Sequence, residues 1–415
     1  MKLPALPSFV FKPATLLVLY LIGAIFAAVQ LYSLGTHIFT FPKDPYPDDI
    51  MNHLDLMNQF LGRPLTEYNN YRIFKYSYFH LIHGENLYGL YPSIHWDFFK
   101  YSPTFALLMA PMAYLSDIAG LVIWNILNAI TVYFAVRMLS FTTRKQAILL
   151  WFAGFEMLTC LQNTQSNGLM CGLMIAAFAC MENGKTLWAT LWIALATYIK
   201  VYGAIGFCLI LFYPGRLKFV LYSALWMFVL GVLPLIVTPF QTLLTQYHNW
   251  AILIKEDAKS AVGLSVAGWL HTWFGIDQKA LVSVVGVILF FIPLTRYKMY
   301  TNQTFRMMML AFMLLWVIIF NHKAESSTFI IAVAGVGIWY FANEKANWRL
   351  ALMILVLLFT SMSTTDIFPP YVKKHFIYPY TIKAVPCILV WCVVFVEMML
   401  LPKPKPIRES ISTVS

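Results

Sequence analysis

Long apolar runs alternate with short polar connections along this chain, and the runs predict membrane-embedded helices. The longest are Ala14–Leu34, Gly120–Phe141, Phe219–Thr238, Leu281–Thr295, Phe305–Phe320, Thr328–Phe341, Leu350–Ser361 and Lys383–Leu401. Shorter runs lie at Phe105–Leu115, Ala147–Leu158, Gly168–Met181, Leu187–Ile199 and Ala204–Phe212. A transmembrane helix needs about 20 apolar residues. Several short runs therefore cross only if tilted, joined to a half-helix or buried in protein. The pattern predicts an all-α polytopic membrane protein of about 11–13 membrane segments, a single integral membrane domain over residues 1–415. The first run follows Lys2 and Lys12 and ends without a small-residue cleavage site, so it reads as an uncleaved span.

The connections fall into two chemical groups. Thr142–Lys145, Glu182–Lys185, Pro214–Lys218, Arg296–Lys298, Asn343–Arg349 and the tail from Pro402 are short and basic. Gly35–Ser102, Pro239–Ala261, Asn321–Ser327 and Ser363–Thr381 are longer and rich in acids and aromatics. The positive-inside rule assigns the first group, with both termini, to the cytoplasm. The second group, holding most of the acids, then forms the working surface on the outer face of a multi-pass inner (plasma) membrane protein. One run strains this scheme. If Phe105–Leu115 crosses fully, Thr142–Lys145 lands outside; if it is re-entrant, the charges agree but a short loop lies at membrane depth.

The first outer loop, residues 35–102, is too long for a structureless connection. In Asp48–Leu61, residues Ile50, Leu54, Met57 and Leu61 recur at helical spacing, as do Ile73, Phe74, Tyr78, Leu81 and Ile82 in Tyr71–Ile82. Two amphipathic helices at the membrane surface would roof a cavity or simply cap the bundle.

Composition narrows the function. Hydrophobic residues make up 60% of the chain and charged residues 11%, with a mean hydropathy of +0.69. Soluble domains carry about 25% charged residues, so a water-soluble globular protein, a disordered chain and a nucleic-acid binder are all excluded. The net charge of +11 follows from basic residues at the cytoplasmic ends of spans. The six cysteines lie in or beside apolar stretches without metal-binding spacing, and read as small buried hydrophobes.

Ionisable and amide groups inside such a chain are the candidates for chemistry. Lys200 interrupts two apolar runs and either presents its ammonium to a phosphate or snorkels to the interface. Glu156 and Glu397, each in apolar surroundings, read as structurally paired or as interfacial. Leu161–Gly168 concentrates Gln162, Asn163, Thr164, Gln165, Ser166 and Asn167, as helix glue or as a sugar-binding wall. Asn321–Ser327 offers His322, Lys323 and Glu325, a cluster suited to a phosphate leaving group or an ordinary polar turn. Asp97, among aromatics beside Tyr101, is either a general base or half of a salt bridge with Lys100.

Together these segments resemble glycosyltransferase family 87. The resemblance is carried by Asn69–Asn70–Tyr71, His83–Gly84–Glu85–Asn86–Leu87–Tyr88, Tyr101–Ser102–Pro103 with the run to Pro111, Asn163–Thr164–Gln165–Ser166–Asn167 and Lys200–Val201–Tyr202–Gly203. It implies a GT-C-like bundle, and an inverting enzyme that moves a hexose such as mannose from a polyprenyl-phosphate donor to an envelope glycolipid or glycan acceptor. An acid of the first outer loop would deprotonate the acceptor. Relatives typically carry an aspartate where Asn70 stands here, and an amide cannot take the proton. Asp97 is the first substitute, followed by Asp49 and Glu85. Asn70, Lys75, Tyr101, Asn163, Gln165, Asn167, Lys200, Tyr202, His322, Lys323 and Glu325 are the expected substrate-binding residues. No metal or other cofactor is expected, since cations already flank the leaving phosphate. A glycolipid flippase and a noncatalytic envelope-assembly partner are the competing readings. Transporters usually repeat internally, and no repeat is visible; Asn70 is what favours a noncatalytic role.

Overall fold

The computed structural model describes residues 7–38, 64–257, 262–321 and 324–402, and over them the chain is a bundle of apolar helices. Helix α1 (Pro13–Leu34) leads to a two-stranded antiparallel ribbon, β1 (Thr36–Ile38) with β2 (Pro64–Thr66), in which Thr36 faces Thr66. The ribbon delivers the chain to α2 (Asn69–Ile82), the predicted loop helix, which begins two residues earlier than its periodicity suggests. The other predicted loop helix, Asp48–Leu61, and the candidate base Asp49 lie outside the described residues, as do His322 and Lys323.

Helices α3 (Pro103–Leu108) and α4 (Ala110–Ala113) follow, then α5 (Asp117–Met138), α6 (Thr143–Gln162), α7 (Asn167–Glu182) and α8 (Thr186–Ile199). After a 3₁₀ helix at Val201–Leu211 come α9 (Arg216–Val232), α10 (Phe240–Asp257), α11 (Val266–Phe274) and α12 (Lys279–Phe291). The last are α13 (Gln303–Ile319), α14 (Phe329–Ala342), α15 (Asn347–Val356) and α16 (Val385–Leu400). Among the described residues, Pro13–Leu34, Asp117–Met138 and Arg216–Ile236 are long and apolar enough to cross a membrane alone. The remaining apolar helices, of 10–17 residues, rely on neighbours. The antiparallel pair α13 and α14 is buried on nearly every face and forms the centre of the bundle.

Side-chain caps fix where helices start. Ser102, Ser116, Thr142 and Asn302 each accept the backbone N–H three residues on, taking one of the donors a helix N-terminus leaves open. The short basic connections gather at one end of the bundle. Lys145 donates to the Phe341 carbonyl at 2.9 Å, Gln303 to Ser140 at 3.0 Å, and Arg306 pairs with Glu182 at 2.6 Å. At this same end Arg349 holds Glu397 at 2.6 Å, the structural pairing expected of that acid.

The stretch Phe105–Leu115 begins and ends at one pole of the bundle, the course expected of a re-entrant segment. Eleven residues of helix rise about 16 Å, roughly half of a 30 Å hydrocarbon core. Its entrance at Tyr101 bonds to Gln165 and its exit at Leu115 and Asp117 bonds to Lys75 of α2, so both ends sit at the pole opposite the basic connections. Thr142–Lys145 therefore stays with the other basic turns, and the charge pattern is consistent throughout.

Helix α2 is packed into the bundle rather than lying on its surface. Tyr71, Ile73, Phe74, Lys75, Ser77, Tyr78, His80 and Leu81 are all buried, and the helix wedges between the re-entrant pair and the start of α5. A methyl group at Gly120 would lie 1.8 Å from the Tyr71 hydroxyl, so only glycine admits this approach. Glu156 on α6, fully buried, pairs at 2.8 Å with Lys383, itself 2% exposed, again the pairing the sequence suggested.

Candidate active site

The pole away from the basic turns holds a cavity of about 760 Å³. Its walls come from the β2–α2 turn, the 96–101 turn, the α6–α7 connection, the α8 break, α10 and the start of the α14 segment. Two regions with different chemistry face each other across it.

The first region is built on the start of α2. Asn69 clamps the backbone of Trp96 from both sides: its Nδ2 donates to the Trp96 carbonyl at 2.6 Å, and the Trp96 N–H donates to its Oδ1 at 3.0 Å. The clamp holds the next residue, Asp97, in the left-handed region at φ 78°, where non-glycine residues are uncommon and often functional. The Asp97 carboxylate accepts the Phe98 N–H at 2.7 Å and the Lys100 ammonium at 3.1 Å, and Lys100 lies 3.8 Å from Asp257. Burial opposes the Lys100 cation, but Asp97 and Asp257 outweigh it and raise its pKa. The salt bridge read as one alternative for Asp97 is thus present, and it leaves the carboxylate half exposed in the cavity. Behind the turn, burial and the neighbouring His80 push the His95 imidazole down to about 4, so it is neutral.

The second region is built on the α6–α7 connection. Thr164 adopts φ 50°; its hydroxyl accepts the Tyr71 N–H at 3.1 Å and its carbonyl accepts Trp124 Nε1 at 2.9 Å. Thr164 therefore caps α2 from another part of the chain, and Asn70 Nδ2 adds a bond to the Asn163 carbonyl at 2.9 Å. Beyond this, Tyr101 donates to Gln165 at 3.2 Å, and Gln165 Nε2 donates to Glu325 at 3.4 Å. Lys200, at the break after α8, donates to Asn167 Oδ1 at 2.7 Å. Its ammonium lies 5.7 Å and 6.0 Å from the ring centres of Tyr101 and Tyr202, and burial lifts the Tyr101 hydroxyl pKa well above the ordinary range. The Tyr202 hydroxyl is shielded from solvent and has no hydrogen-bond partner among the described residues.

Of the residues singled out from sequence, the cavity lining unites Asp97, Asn70, Tyr101, Asn163, Gln165, Lys200, Tyr202 and Glu325. Asn167 stands behind it as the acceptor for Lys200. Lys75 and Glu85 are not among the lining residues. Lys75 is committed to Asp117 at 2.7 Å and the Leu115 carbonyl at 2.8 Å, because its position on α2 faces the re-entrant exit. Glu85 is held by His80 Nδ1. Sequence reasoning did not select Glu67, Asn69, Trp96 or Asp257 for the site, yet all four line the cavity. For Glu67 and Asn69 a signal existed, namely their nearness in sequence to Asn70. For Asp257 the signal was only its place in the acid-rich 239–261 connection, which says nothing of how α10 brings it to Lys100 from a distant part of the chain. Among the described residues no cluster of histidine, cysteine and acids could hold a metal ion.

The fold defines a polytopic membrane protein with a cavity lined by acids, lysines and amides at one pole of an apolar bundle. Residues 98–365 match the model of glycosyltransferase family 87, well over half of the chain, and the chain belongs to that family. The match begins beyond α2, so Asn70 lies ahead of it. No curated protein matches the chain. The chain is thus a membrane glycosyltransferase by family, as its sequence suggested.

Proposed function

We propose that the protein transfers a hexose from a polyprenyl-phosphate donor to an envelope glycolipid or glycan, with inversion, on the outer side of the inner membrane. The observation that carries this reading is the pairing of two regions in one cavity: a clamped, half-exposed carboxylate and a partly buried lysine set among aromatic rings and amides line the same space. The donor phosphate suits the second region. Lys200 supplies a cation whose position Asn167 fixes, and the unpartnered Tyr202 hydroxyl can donate to a phosphate oxygen. Fixed donors of this kind stabilise charge as it develops on a leaving group. His322 and Lys323, expected to join them, sit in sequence between Asn321 and Glu325, both lining residues.

Asp97 serves as the base. Its carboxylate takes the proton of an acceptor hydroxyl as that oxygen bonds to the anomeric carbon. The bond from that carbon to the phosphate oxygen breaks, and the polyprenyl phosphate leaves with the electron pair. A single displacement inverts the anomeric centre, through an oxocarbenium-like transition state. The Asn69 clamp ties Asp97 to the residue beside Asn70, which offers a physical route by which a carboxylate is restored next to the position an amide now fills. The basic turns at the opposite pole support an outer-facing cavity.

The test is transfer by purified protein from a synthetic polyprenyl-phosphate hexose, followed by mass spectrometry of the products. Loss of transfer in Asp97→Asn and in Lys200→Met supports both roles. Full transfer by Asp97→Asn would move the base to Glu67, in the same wall. Absence of transfer by the wild type across hexose donors would favour the noncatalytic reading that Asn70 invites.

A further inference from the structure

A second, larger hollow of about 1020 Å³ opens on the side of the bundle, away from the polar cavity. Its lining is apolar over most of its length. Helices α5, α7 and α8 form the walls through residues such as Ile130, Phe134, Leu173, Ala176 and Trp192. The floor is sealed where α5 and α7 touch: a methyl group at Gly172 would lie 2.5 Å from Thr131. Helix α8, which borders the groove along its length, rises about 21 Å, more than one leaflet of a hydrocarbon core about 30 Å thick.

The two ends of the groove differ. Towards the polar cavity it is closed by Phe105, Trp124 and Ile199, each at most 3% exposed. Phe105 stacks on Tyr101 at 4.6 Å and meets Phe74 at 5.3 Å and Trp124 at 6.0 Å, an aromatic wall between the groove and the Lys200 region. A lipid whose phosphate sits beside Lys200 therefore cannot thread its tail here without dismantling that wall. At the other end the groove meets the basic turns, where Lys185 and Lys218 line its mouth. Both lysines are exposed, and neither has a carboxylate partner among the described residues. Exposed Phe134, Met138, Leu187 and Trp188 flank the opening.

We propose that this groove is a binding site for an anionic phospholipid of the leaflet at the basic pole, distinct from the donor. Its acyl chain fills the apolar channel and its phosphate headgroup rests between Lys185 and Lys218. Apolar burial favours the chain where water is the alternative, but surrounding lipid tails are equally apolar. Selectivity therefore comes from the two cations, and it favours a headgroup with net negative charge over a zwitterionic one.

The experiment uses the full-length protein in phosphatidylcholine nanodiscs doped with phosphatidylglycerol, released into native mass spectrometry to identify retained lipid. Expected is phosphatidylglycerol retained in preference to phosphatidylcholine, a preference lowered about thirtyfold in the Lys185→Gln, Lys218→Gln double variant. Ala176→Phe, which fills the channel, should abolish retention of either lipid. Thermal unfolding of each variant separates a lost site from a lost fold. Equal retention of the two lipids, an unchanged preference in the double variant, or undiminished retention by a folded Ala176→Phe protein would each overturn the proposal. So would retention of a polyprenyl phosphate, from the source membrane, that the lysine substitutions leave untouched.

Discussion

Replacing Asn69 with alanine should cripple the site while leaving the bundle folded. Asn69 makes two hydrogen bonds to the backbone of Trp96, at 2.6 and 3.0 Å. A net intramolecular hydrogen bond stabilises by about 0.5–1.5 kcal/mol, so the pair contributes about 2 kcal/mol. Trp96 is 46% exposed, and water can take over its released backbone groups, so the loss stays near that figure. The clamp offsets the unfavourable backbone of Asp97 at φ 78°, a conformation that costs a non-glycine residue about 1–3 kcal/mol. Without the clamp the two terms are comparable, and the turn at 95–98 relaxes and carries the carboxylate with it. A misplacement of about 1 Å can lower a rate about 100-fold. Hydrogen exchange and sugar transfer measured on one preparation read both effects. Expected are faster exchange confined to residues 94–100, transfer down about 100-fold, and a nearly unchanged melting temperature. Unchanged exchange together with unchanged transfer would refute the reasoning; faster exchange throughout α2 would make Asn69 a packing residue instead.

Three further outcomes follow from the structure. Gly120→Ala places a methyl 1.8 Å from the Tyr71 hydroxyl and should destabilise by about 1–3 kcal/mol; adding Tyr71→Phe, which removes that oxygen, should recover part of the loss in a thermal-unfolding series. Lys383→Met strands the Glu156 carboxylate in the interior and should cost about 3–5 kcal/mol, while the double variant with Glu156→Leu should regain most of it, as read by melting in detergent. His95 is held neutral in the folded chain with its pKa lowered to about 4 from 6.5. Between those values the unfolded segment binds the extra proton, so the 91–98 turn should lose about 1.4 kcal/mol per unit as pH falls from 6.5 toward 4. Hydrogen exchange of that turn against pH, compared with His95→Gln, checks the sign and the window.

The broad architecture was legible because apolar runs and charged turns are local signals. The spans, the gathering of basic turns at one pole and the helix at 71–82 all follow from short stretches of sequence, whereas the partners of Glu156 and Glu397, Lys383 and Arg349, come from distant parts of the chain. The course of Phe105–Leu115 was open on composition alone, and contacts bring its two ends to one pole: Tyr101 with Gln165 at one end, Leu115 with Lys75 at the other. Site residues were legible where the sequence concentrates them, as in Asn163–Asn167 and at the Lys200 break. Lys75 and Glu85 were misplaced because their partners, Asp117 and His80, are ordinary residues whose proximity depends on how α2 wedges into the bundle. Asp257 reaches the cavity only because α10 folds across it, and Asn69 matters through backbone bonds that no residue-type pattern reports.

The central claim is that Asp97 is the base of a glycosyl transfer, and Asp97→Asn tests it most directly. Asparagine tolerates the left-handed backbone and retains an oxygen for the Phe98 N–H, so geometry is kept while the proton acceptor is lost. The measurement is mass spectrometry of envelope glycans and glycolipids from a strain lacking this protein, complemented with wild type or with Asp97→Asn at matched expression. A product short of one sugar that wild type restores and Asp97→Asn does not is the predicted result. Full restoration by Asp97→Asn would contradict the assignment. Intact glycans in the deletion strain, with lipid-linked precursor trapped on one leaflet, would contradict the transfer itself.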